Sequence, residues 1–82
     1  MTVEKKFEEW IKNSGFRVEN TFNIPSKMIF NEKECFLAEI KTKGHKIRDC
    51  EIEKAKLLKK VFNIETRFYT YKDDKFLLEK KI

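Results

Sequence analysis

Apolar side chains recur along the first fifteen residues with the pitch of a helix. Val3, Phe7, Trp10 and Ile11, followed by Ser14, fall on one stripe at i, i+4, i+7, i+8 and i+11. Thr2 can cap that helix, and Gly15 can stop it because glycine enters the left-handed conformation without a β-carbon penalty. The pattern predicts a helix over about 3–14 with Trp10 in the core. Residues 16–24 then read as a strand with Phe16 and Val18 on one face, punctuated by Pro25, which cannot donate to a central ladder. Residues 27–30 form a short second strand. Asn31 to Glu34 is a polar turn, and 35–42 a third strand that makes a hairpin with the second. Gly44 marks a loop. A second helix follows over about 48–62, with Ile47, Cys50, Leu57, Leu58 and Val61 as its expected buried stripe. Residues 66–71 and 76–81 are two more strands around the turn Lys72 to Lys75. The order α-β-β-β-α-β-β predicts one α/β domain over residues 1–82. It is a mixed sheet flanked by two helices, with a C-terminal hairpin.

The third strand is the most informative segment. Side chains alternate with period two, so Phe36, Ala38, Ile40 and Thr42 share one face and Cys35, Leu37, Glu39 and Lys41 the other. The first face suits packing under a helix. The second begins apolar and ends in an acid and an amine that point the same way.

Composition narrows the class. At 82 residues, 40% hydrophobic and 13% aromatic, the chain is too apolar for disorder, and its single core is of marginal size. No apolar run approaches a membrane span and the N-terminus lacks a signal pattern, so a soluble, cytoplasmic protein with no membrane partner is expected. Cys35 and Cys50, without nearby histidine partners, are a poor zinc signature and are read as two buried free thiols, with a disulfide as the alternative. The net charge is +5, and its placement matters more than its size. Residues 1–34 balance six basic against six acidic groups, whereas 41–60 hold eight basic and three acidic groups and supply the whole excess. Such a concentrated stretch is the electrostatic footprint of a polyanion binder, although a helix face laced with ion pairs has the same composition.

Glu39-x-Lys41 is the candidate constellation. A strand-end carboxylate can hold a divalent cation through hard oxygen contacts. The neighbouring ammonium can orient or help deprotonate an attacking water. The spacing alone is weak, since Glu4/Lys6 and Glu79/Lys81 repeat it. The 39/41 pair differs in closing an apolar strand. Lys43, His45, Lys46 and Arg48 in the following loop could together grip nucleic-acid phosphates. His45, the lone histidine, reads first as a surface residue. Phe68, Tyr69, Tyr71 and Phe76 could stack on bases, but core packing is the stronger reading.

An apolar strand ending FLAEIKTKG within this element order resembles the core of the PD-(D/E)xK nuclease superfamily, whose fold is restriction-endonuclease-like, and in particular its archaeal Holliday-junction resolvase branch. The run VEKKFEEWIKNSGFRV is similar to that family's first helix and strand, where an early glutamate precedes a Gly-Phe pair. By that resemblance Glu4 joins Glu39 and Lys41 as catalytic residues, Glu4 and Glu39 hold Mg²⁺ or Mn²⁺, and the substrate is structured or double-stranded DNA cut by a homodimer. The chain departs from the pattern at the family's second-strand aspartate, whose place falls at Ser26 or Lys27. Three explanations stay open. The site is inactive and the fold serves binding, another acid such as Glu19 or Glu34 takes over, or the loop is shifted in register. Function therefore divides between a metal-dependent endonuclease, a non-catalytic nucleic-acid-binding or regulatory protein on the same fold, and a small interaction protein using its aromatic hairpin.

Overall fold

A computed structural model describes residues 1–42 and 44–82. The elements are α1 (Val3–Asn13), β1 (Arg17–Asn20), β2 (Lys27–Phe30), β3 (Cys35–Thr42), α2 (Asp49–Phe62), β4 (Glu65–Lys72) and β5 (Lys75–Lys81). They build one five-stranded sheet in the order β1-β2-β3-β4-β5. All neighbours are antiparallel except β3 and β4, whose parallel pairing needs the α2 crossover. The α/β class, element order and closing hairpin are those expected. Among the described residues, no helix is long and apolar enough to cross a membrane.

Local chemistry sets the ends of α1. The Thr2 hydroxyl accepts from the Lys5 amide at 3.2 Å. At the other end the Gly15 amide donates to the Lys12 carbonyl and the Phe16 amide to the Ile11 carbonyl. This 5→2 and 6→1 pair turns the chain through a left-handed residue, Gly15 at φ 91°. The turn carries Phe16 back against the core that holds Ile11.

α1 covers the face of the sheet that carries Ile29, Phe36, Ala38 and Tyr69. Phe7 and Ile11 close that core, with Phe16, Val18, Ile40 and Phe76 around it. Phe7 is the hub, its ring 5.1 Å from Tyr69, 5.3 Å from Phe76 and 5.7 Å from Trp10. The aromatic hairpin thus serves packing. Trp10 lies over the edge of this cluster and remains 40% exposed, so it lines the core without being enclosed by it. The opposite face carries Leu37, Thr66 and Phe68 under α2.

Four expectations need correction, the enclosure of Trp10 being one. The first strand is only Arg17–Asn20, because Phe22 adopts φ 58° and turns the chain out of the ladder before Pro25. The buried positions of α2 are Glu51 and Ala55, while Leu57, Val61 and Phe62 are exposed. The helix is rotated relative to its apolar pattern because Glu51 points inward to an ion pair. Both cysteines are free thiols, but they are exposed. Cys35 opens β3, and Cys50 stands in the first turn of α2 one residue from the inward-facing Glu51.

Candidate active site and nucleic-acid interface

The alternation along β3 places Glu39 and Lys41 on the α2 face of the sheet, the face opposite Phe36 and Ala38. The pairing of β2 with β3 then decides which residue stands beside Glu39. Lys27 is opposite Ala38, so Ser26 comes level with Glu39. The Ser26 amide donates to Glu39 Oε2 at 3.2 Å, and its hydroxyl donates to Oε1 at 3.4 Å. Of Ser26 and Lys27, Ser26 is the one beside Glu39, and it brings a neutral hydroxyl there.

Lys27 faces the other way. Its buried ammonium donates to Asn20 Oδ1 at 2.7 Å and lies 3.9 Å from Glu4 Oε2. Glu4 thus sits at the same end of the sheet as Glu39 but on the α1 side, paired with Lys27. The two candidate replacement acids are also placed. Glu34 accepts from Arg67 at 3.3 Å at the far end of β3. Glu19 shares the face of Glu39 but belongs to the row of Met28 and Leu37, two residues down the strand.

The residue that sequence reasoning missed is Glu51. Its side chain is 1% exposed, and the Lys41 ammonium reaches both of its oxygens, at 2.8 and 2.7 Å. The Arg48 amide donates to Oε1 at 3.0 Å and the Arg48 Nε–H at 3.2 Å. The amide contact is half of a capping box, with an acid three residues into the helix reaching back to the cap position. That spacing, with Ala55 and Leu58 at i+4 and i+7, was the available signal.

Environment pulls the two acids apart. Burial pushes the Glu39 carboxyl above its ordinary value, and the nearby Glu51 charge adds to this against the opposing pull of Lys41 and the Ser26 amide. Burial acts on Glu51 as well, but Lys41 and Arg48 outweigh it and hold Glu51 below the usual range. A group raised in the folded state opposes folding when ionised, and this penalty is relieved as pH falls through its folded value. A lowered group stabilises above its unfolded value and loses that contribution as pH falls through the folded one. Glu39→Gln is therefore expected to be more stable than the wild type at pH 7, the difference closing as pH approaches the ordinary carboxyl value of 4.5. Urea melts across that range check it, and a difference that widens in acid would contradict the assignment.

A divalent cation implied by the resemblance finds a poor donor set on this face. Glu51 is tied to Lys41 and Arg48 through Oε1, its buried Oε2 accepts no hydrogen bond and has only the Lys41 charge beside it, Ser26 is uncharged, and Glu4 stands on the α1 side. Among the described residues, no three histidine, cysteine or acidic side chains gather as a metal cluster. What the centre does offer is a half-buried carboxylate of raised proton affinity beside an ammonium pinned by a second acid.

The phosphate-gripping candidates lie around the loop after β3. His45 Nδ1 is 2.9 Å from the Thr42 hydroxyl, and His45, Lys46 and Arg48 are exposed. Lys43 lies outside the described residues. The C-terminal end of β3 therefore meets this loop, the 21–26 loop and the 72–75 turn, the kind of strand end at which open α/β sheets bind ligands. No protein-family model matches the chain, and no curated protein matches it in sequence.

Proposed function

We propose that this protein is a nucleic-acid-binding domain on a nuclease-like fold, with DNA as its partner and binding, not cutting, as its activity. One observation carries the reading. The segment 41–60, which supplies the entire +5 charge, presents Lys46, Arg48, Lys56, Lys59 and Lys60 at the surface from the loop after β3 along α2, where they outnumber the exposed Asp49 and Glu53. Cations spread over such a track neutralise successive phosphates and release counterions. The neutral Ser26 hydroxyl beside Glu39, and the closed Lys41–Glu51 pair, favour binding over hydrolysis. A cytoplasmic location goes with such a partner.

A second reading has its own support. Glu39 and Lys41 do leave one face of one strand together, and the raised Glu39 carboxyl suits proton exchange. It predicts Mg²⁺- or Mn²⁺-dependent cutting of structured or double-stranded DNA by two copies of the chain.

One experiment separates them. Branched, duplex and single-stranded DNA are titrated at several salt concentrations with and without Mn²⁺, using wild type, Glu39→Ala, Lys41→Ala and a Lys56→Gln/Lys59→Gln/Lys60→Gln variant. The binding reading expects salt-steep binding without cleavage. In the triple variant the log–log salt slope should flatten by about 0.9 for every phosphate that is no longer neutralised. Metal-dependent cleavage abolished by Glu39→Ala, and by Lys41→Ala under conditions where circular dichroism shows that variant folded, selects the second reading. Absence of binding at low salt defeats both.

A further inference from the structure

Phe22 is the most exposed of the large apolar side chains, at 94%, whereas Phe7, Phe36 and Phe68 are fully buried. Its backbone sits at φ 58°, a left-handed conformation disfavoured for residues with a bulky side chain and ordinarily given to glycine or asparagine. The fold gains no packing in return for that strain. The loop around it is nonetheless closed. The Thr21 amide donates to the Ser26 carbonyl at 2.9 Å, the Thr21 hydroxyl to the Pro25 carbonyl at 2.6 Å, and the Asn23 amide to the Thr21 hydroxyl at 3.2 Å. A tied turn holds the ring out into solvent.

The place of the ring is as telling as its exposure. The same turn ends at Ser26, whose amide and hydroxyl grip Glu39. The turn that carries Phe22 therefore ends at the polar centre, at the sheet end where the loop bearing His45, Lys46 and Arg48 also emerges. A flat apolar face at the same end of the sheet as exposed cations matches the two chemistries of an unpaired nucleotide, a base with a π-face and a phosphate. Local strain retained beside a functional centre is the pattern expected when the strained residue is used.

We propose that Phe22 is a base-stacking residue, taking the unstacked base of a single-stranded or forked nucleic acid bound at this end of the sheet. The proposal rests on the nucleic-acid-binding reading above and names the contact that reading lacks. A single aromatic ring on a tied turn, with Ile24 partly exposed beside it, suits one base. Insertion into a bilayer surface would call for a broader apolar face.

The test uses the full chain and oligonucleotides carrying 2-aminopurine at unpaired positions, in single-stranded, forked and intact duplex form. Variants are Phe22→Ala, Phe22→Trp and Phe22→Asn, the last chosen because asparagine tolerates the left-handed backbone and keeps the turn. Phe22→Ala and Phe22→Asn are expected to lose about tenfold affinity for single-stranded and forked DNA with an unchanged salt slope. Phe22→Trp should retain affinity, its fluorescence quenched on binding. Equal affinity of Phe22→Ala and wild type, or a loss that falls alike on intact duplex, overturns the stacking role while leaving nucleic-acid binding intact. Wild type that binds no DNA at all defeats the underlying reading as well. Loss of binding to anionic phospholipid vesicles in Phe22→Ala, with DNA binding unaffected, would assign the ring to a membrane surface instead.

Discussion

Lys41→Met is expected to destabilise the fold by about 3–5 kcal/mol at neutral pH, the range for removing one partner of a buried ion pair. Glu51 is enclosed, at 1% side-chain exposure, and Lys41 is itself only 15% exposed. Taking away the ammonium leaves an ionised carboxylate held only by Arg48, whose side chain is 61% exposed. The carboxyl then rises in proton affinity, so the loss shrinks as the solution is acidified toward its new folded value. The double variant Lys41→Met/Glu51→Leu removes both charges and should recover most of the loss, because a well-packed apolar pair replaces a desolvated one. Urea denaturation of the two single variants and the double variant measures the coupling. A cost for Lys41→Met below about 1 kcal/mol, the range of solvated pairs, would mean that water reaches Glu51.

The second large effect belongs to the α1 face. Phe7→Ala should cost about 3–5 kcal/mol, the range for emptying a buried phenyl site. Phe7 is 0% exposed and its ring packs on Trp10, Tyr69 and Phe76, so truncation leaves three aromatic neighbours facing a void. An 82-residue domain has about 4–12 kcal/mol of total stability at the usual 0.05–0.15 per residue, so between about a quarter and all of it would go. Trp10→Ala should be milder, because the indole is 40% exposed to begin with. Thermal and chemical melts followed by circular dichroism would decide the order. A larger loss at Trp10 than at Phe7 would mean that the core is centred elsewhere.

Both effects mark where the chain was legible and where it was not. The limits of α1 followed from Thr2 and Gly15, which act through their own backbone and need no tertiary context. The two faces of β3 followed from alternation, and with them the shared direction of Glu39 and Lys41. The rotation of α2 did not follow. Periodicity assigns an acid to solvent, yet Glu51 is inward because Lys41, ten residues earlier and on another element, neutralises it. Leu57 and Val61 were turned outward by the same contact. The side of Glu4 was hidden for a related reason. α1 had to cover the apolar face of Phe36 and Ala38, which sets its glutamate across the sheet from Glu39. Ser26 could be matched to Glu39 only once the β2–β3 register was known, because the 21–26 loop hides where β2 begins. Phe22 gave no warning at all. A phenylalanine among strand-like residues reads as buried until its backbone is seen to turn.

The single parallel pairing has a consequence for how the chain finds its shape. β1, β2 and β3 can zip together through short loops, and so can β4 with β5. These local ladders close with little entropy lost to looping. Joining them requires Phe36 to meet Glu65 across an intervening stretch that includes all of α2. The β3–β4 seam is thus the strand pairing with the longest loop to close, and a formed α2 shortens the flexible stretch that has to be closed.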